Sequence, residues 1–78
     1  MKYYLDTIEQ IKGETEGTYT EYGKREIKAD YSTALTAFYT KLMNVSNSVA
    51  HVYMDIKIVN SEGGVVKKDS FGTYVEAE

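Results

Sequence analysis

One change of rhythm constrains this chain more than anything else. Partway along it, the spacing of apolar side chains switches from the period of a helix to the period of a strand. Tyr31, Ala34, Leu35, Phe38, Tyr39, Leu42 and Met43 recur at i, i+3, i+4, i+7, i+8, i+11 and i+12, which is one apolar stripe on a 3.6-residue helix. Asp30 stands before the stripe as an N-cap, a residue type that accepts from the orphan N–H groups of a first helical turn. Asn44-Val45-Ser46-Asn47-Ser48 supplies the polar stop. Then Ala50, Val52, Met54, Ile56 and Ile58 alternate with His51, Tyr53, Asp55, Lys57 and Val59, the pattern of a strand with one buried and one wetter face. Asn60-Ser61-Glu62-Gly63-Gly64 predicts a hairpin loop, because its glycines can take positive φ. Val65 to Val75 returns as the partner strand, with Gly72 a bulge or kink.

The first 29 residues carry no helical stripe. Lys2 to Lys12 holds the β-formers Tyr3, Tyr4, Leu5, Ile8 and Ile11, Gly13 to Gly17 reads as a turn, and Thr18 to Ile27 is again β-prone. The order is therefore β-β-α-β-β. It predicts an α+β fold: a single four-stranded, mainly antiparallel sheet with one helix packed on one face. All 78 residues form one small domain, since a chain this short buries only about 60% of its unfolded surface and cannot support two cores. The chain has no cysteine, so disulfides, thiolate zinc sites and iron–sulfur clusters are excluded.

Charge argues against nucleic acid as the partner. Nine basic against twelve acidic residues leave a net charge of −3, and the densest basic stretch, Lys24-Arg25-Glu26-Ile27-Lys28, is broken by an acid. Phosphate recognition needs a basic footprint. No apolar run approaches the roughly 20 residues that span a bilayer, and Met1 to Asp6 reaches an acid before any secretory apolar region forms. A cytoplasmic setting without membrane insertion is expected.

Signals of catalysis are weak. His51, Tyr53 and Asp55 share a strand register and so point one way, which permits a proton-transfer cluster, although an ordinary solvated strand produces the same neighbours. One histidine with scattered carboxylates does not make a zinc site. Glu14 and Glu16, and Glu76 and Glu78, pair carboxylates only at loop tips and near the chain end. Neither glycine pair is followed by Lys-Ser/Thr and a helix, and no serine sits in a G-x-S-x-G elbow. No enzyme activity, cofactor or metal is expected.

Two surfaces are more informative. Ser32, Thr33, Thr36, Ala37, Thr40, Lys41 and Asn44 coat the outer side of the helix with a single charge, a neutral face that desolvates at low cost. The second surface follows from layer arithmetic: one helix covers one face of the sheet and leaves the other open. There are eight tyrosines and no tryptophan. Strand alternation places Tyr53, one of Tyr3 or Tyr4, and some of Tyr19, Tyr22 and Tyr74 on the open face. Tyrosine contributes apolar area at low entropic cost and keeps a polar tip, which suits an interface, and cross-strand tyrosines also stabilise a sheet by themselves. The candidate interaction residues are Tyr3, Tyr4, Tyr53, Tyr74 and, on the same strand register, His51.

Three segments together resemble a known group. Lys2-Tyr3-Tyr4, the acid-capped helix with Ala34 and Phe38-Tyr39-Thr40-Lys41-Leu42, and Ser61-Glu62-Gly63-Gly64-Val65 in the late hairpin resemble small uncharacterised proteins encoded by bacteriophages and prophages. The first loop here is longer and more acidic than in that group. The resemblance brings no established activity and no site residues. It implies a bacterial or viral setting, in the host cytoplasm or associated with the virion, and a small accessory role.

The expectation is a non-enzymatic protein-binding module that modulates or inhibits a host system by covering a surface. The alternatives are a self-associating structural subunit, pairing through a strand edge or the neutral helix face, and a small-ligand binder whose pocket forms between protomers.

Overall fold

Asp30 begins the helix as its residue type dictates. Its carboxylate accepts from the Thr33 N–H at 2.7 Å, and α1 runs over Tyr31–Ser46. The helix closes at Asn47, whose N–H donates to the Met43 carbonyl, while the Ser48 N–H donates to that of Val45. In this computed structural model, which describes residues 2–76, α1 is flanked by two antiparallel pairs of strands. These are β1 (Tyr3–Lys12) and β2 (Tyr19–Lys28) before it, and β3 (His51–Asn60) and β4 (Val65–Gly72) after it. The strands form one open antiparallel sheet in the order β2-β1-β3-β4. The α+β fold with one helix on one face is as the period switch predicts.

The core lies between α1 and the two central strands. Leu5, Met54, Ile56 and Ile58 from the sheet meet Ala34, Phe38 and Val45 from the helix, all with almost no exposure. Leu5 pairs with Ile58 across the β1–β3 ladder, so the buried set is contiguous across the strands. Burying one such large side chain stabilises the fold by roughly 1.5–3 kcal/mol.

Three local expectations are corrected. The apolar stripe of α1 is rotated: Ala37 and Lys41 are half-buried, while Tyr39 and Met43 are exposed. Tyr39 lies on the flank toward β4, where the Lys67 ammonium sits 5.3 Å from its ring centre. The strand alternation also fails at the start of β3. The register against β1 shifts between Gln10 and Ile11, which leaves Ala50 outside the strand and moves Val52 and His51 off the face assigned by alternation. Finally, β4 stops at Gly72 and does not continue to Val75. Gly72 has φ +73°, and a Cβ there would collide with the Val52 carbonyl oxygen, so glycine alone allows the chain to turn off the edge. Glu78 lies outside the described residues.

Candidate protein-binding face of the sheet

Because side chains alternate along a strand, the residues between the core positions point away from α1. Tyr4, Asp6, Ile8 and Gln10 of β1 stand opposite Ile27, Arg25, Gly23 and Glu21 of β2, and opposite Val59, Lys57, Asp55 and Tyr53 of β3. These rows make up the open face.

Counting from Asp6, the first row is ionic. Arg25 donates from Nε and Nη2 to the two Asp6 carboxylate oxygens, each at 2.6 Å, a fork geometry that only a guanidinium supplies. Its guanidinium lies 4.6 Å from the Tyr4 ring centre, a cation–π contact. The hydrogen bond from Arg25, aided by the charges of Arg25 and Lys57, holds the Asp6 carboxyl below its usual range against the opposing effect of burial.

The second row carries a gap. Gly23 has no side chain to place beside Ile8, and Ile8 is left 45% exposed. The recess over it, about 380 Å³, is rimmed by Asp6, Arg25, Lys24, Asp55 and Lys57. An apolar floor inside a charged rim is the arrangement of an interface anchor point.

The third row is closed by the chain that follows Gly72. Gln10 donates from Nε2 to the Val75 carbonyl at 2.6 Å and accepts from the Val75 N–H at 2.8 Å. This reciprocal pair buries Gln10 almost completely and fixes Tyr74 edge-on to Tyr53, with ring centres 5.4 Å apart. The Glu21 carboxylate beside it pushes the Tyr74 hydroxyl pKa up. Burial, followed by the charges of Asp55 and Glu21, pushes the Tyr53 hydroxyl up.

Of the residues singled out from the sequence, Tyr4, Tyr53 and Tyr74 come together on this face. Tyr3 does not: it lies on the helix side, its ring 5.5 Å from that of Tyr31. His51 is also elsewhere, because the register shift puts it opposite Ile11 and away from Tyr53 and Asp55. Its Nε2 is 2.9 Å from the Glu9 carboxylate and its Nδ1 is 2.9 Å from the Ser48 hydroxyl. Glu9, nearly buried, also receives Lys41 at 3.1 Å. Since Ser48 Oγ accepts from the Ala50 N–H, its proton is free to be donated to Nδ1, leaving Nε2–H to donate to Glu9. This network ties the α1–β3 connection to β1. The recesses of the open face and of the helix flank are lined by other residues than Ser48 and His51.

The neutral helix side also borders a recess. Thr33, Thr36, Thr40 and Asn44 form one wall of a groove of about 490 Å³, whose far side is Leu5 and Glu26 of the sheet. They line an open groove between α1 and the β2 edge and remain exposed to solvent, as expected of the neutral face.

Ile8 and Gln10 are the residues of this candidate face that sequence reasoning missed. Ile8 sits in the same alternation as Tyr4, so its face was readable. Its exposure depends on Gly23, a cross-strand neighbour that only the register reveals. Gln10 had no local signal, because its partner lies 65 residues away.

Among the described residues there is no cluster of His, Asp or Glu that could hold a metal ion, and no helix is long and apolar enough to cross a membrane. Compared with known proteins, the chain matches no protein family, no curated protein and no solved structure.

Proposed function

We propose that this chain is a non-enzymatic protein-binding module that acts by covering a surface of its partner with the open sheet face. The observation that carries the reading is the half-exposed Ile8 at the floor of a charged recess, flanked by Tyr4 on one side and the Tyr53–Tyr74 pair on the other. Interfaces are built this way, with aromatic and apolar anchors inside a polar rim. The rim carries both signs, Arg25 and Lys57 beside Asp6 and Asp55, which selects a protein surface of mixed charge over a phosphate backbone. The role of a phage-encoded accessory protein that modulates or inhibits a host system rests on the sequence resemblance alone.

The experiment is affinity capture from a bacterial lysate with the immobilised chain, read by mass spectrometry. The Tyr4→Ser/Tyr53→Ser variant is expected to lose the captured protein, and Thr36→Ala, in the groove on the other side, is expected to retain it. Equal capture by the tyrosine variant, with its fold verified by circular dichroism, would remove the open face from the mechanism.

A further inference from the structure

We infer that β2 is a self-pairing edge: two copies of the chain join β2 to β2, antiparallel, about a twofold axis at Gly23, and their sheets become continuous. This goes beyond the binding role proposed above and does not depend on it.

The two edges of the sheet differ in a way that singles out β2. Its ladder with β1 runs through ten consecutive pairs without a slip, and the strand is exposed along nearly its whole length. Its outer side has no partner strand among the described residues. By contrast, β4 is shorter, slips in register between Ile58 and Val59, and turns away at Gly72. Bulges and irregularities of that kind are one of the ways proteins block edge-to-edge association; charged side chains are another, and those of β2 carry both signs. β2 has no bulge or irregularity in its ladder.

Symmetry then fixes which residues meet. A twofold axis perpendicular to a sheet pairs residues on the same face, so it must pass through a residue position and cannot fall between two. With the axis on Gly23, Glu21 faces Arg25 of the second copy and Tyr19 faces Ile27, each twice by symmetry. Tyr22 faces Lys24, and Thr20 faces Glu26. Opposite charges and apolar pairs placed directly across a ladder are the stabilising combinations. Tyr19, Tyr22 and Ile27 are all exposed in the single chain, and this register covers them. Arg25 uses two N–H groups on Asp6 and has three more for a second carboxylate. Moving the axis one residue to Lys24 sets that lysine against itself and Glu21 against Ile27. Moving it to Tyr22 leaves Ile27 beyond the end of the partner strand.

Gly23 is an independent observation. Glycine in mid-strand weakens a sheet and marks a kink, a bulge or a close approach of another backbone. Here there is no bulge in the β1–β2 ladder, φ is not positive, and a Cβ would meet nothing within 4 Å. No backbone strain or steric limit within the single chain calls for glycine at this position, although its missing side chain is what opens the recess over Ile8. At a dyad, a residue stands directly opposite its own copy at the ordinary ladder spacing of about 4.5–5.5 Å, and glycine leaves no side chain to be set against itself there.

The test is sedimentation velocity over a dilution series, combined with cysteine cross-linking in a chain that has no native cysteine. The wild type is expected to sediment as a dimer that dissociates on dilution. Glu21→Lys is expected to weaken the dimer at least about tenfold, because it places like charges across two symmetric pairs. Under mild oxidation, Gly23→Cys is expected to cross-link to itself across the axis. Lys28→Cys is not, since its two copies lie roughly 33 Å apart in this register. A monomer at every concentration overturns the inference. So does a dimer indifferent to Glu21→Lys, or one that cross-links through position 28 but not through position 23.

Discussion

The two faces of this sheet are made by the same strands, alternating residue by residue, yet they are chemically opposite. Toward α1 lie Leu5, Met54, Ile56 and Ile58, packed on Ala34, Phe38 and Val45 with almost no exposure. Away from α1 lie Asp6, Arg25, Lys57 and Asp55, with tyrosines at either end and Ile8 half-exposed between them. A domain this small has room for one buried layer, so one face supplies the stability and the other is left free for contact. The division is not absolute. Glu9 is a nearly buried carboxylate on the helix side, held by Lys41 and His51, and Gln10 is a buried amide on the open side, held by the returning chain.

The largest expected effect falls on the helix side. Phe38→Ala should cost about 3–5 kcal/mol of unfolding free energy in urea, as lost transfer energy and a cavity add together. A cost near that of a surface substitution would dissolve the contrast between the faces. Next comes the amide that anchors the returning segment. Gln10→Ala removes both bonds to Val75 and should cost about 1–3 kcal/mol. Amide exchange by NMR should show the Val75 N–H losing protection while β3 keeps its own. The smallest effect is electrostatic. The Asp6 carboxyl titrates below its usual range in the folded chain, so its stabilisation is fully present above the unfolded value, near pH 4, and is lost as pH falls through the folded value. The stability advantage of wild type over Asp6→Asn should therefore be present at neutral pH and shrink below about pH 4. An advantage that grows toward acid pH would contradict the ion pair.

Much of the fold was legible in local patterns, because its causes are local. The Asp30 cap, the apolar spacing after it, and the alternation from Met54 to Ile58 are short-range signals, and they fixed the element order and the central core. What was not legible arose between segments. The slip between Gln10 and Ile11 moved His51 from the polar register to a place beside Glu9 and Ser48, and no spacing within β3 reveals a slip against β1. The side of the sheet taken by Tyr3 or Tyr4 was open from alternation alone, and packing against Tyr31 decided it. The helix stripe read correctly at Ala34 and Phe38 but too far toward Tyr39 and Met43, which are exposed, Tyr39 on the flank beside Lys67 of β4. The meaning of Gly23 required its neighbours on both sides.

Two isoleucines provide the most direct test, because they differ in face and not in chemistry. Ile56, fully buried beneath α1, and Ile8, half-exposed on the open side, occupy neighbouring places on adjacent central strands. Urea unfolding of Ile56→Ala and Ile8→Ala should give a loss of about 2–5 kcal/mol for the first and about 1 kcal/mol or less for the second. Equal losses would contradict the claim that one face holds the fold together while the other is left free to bind.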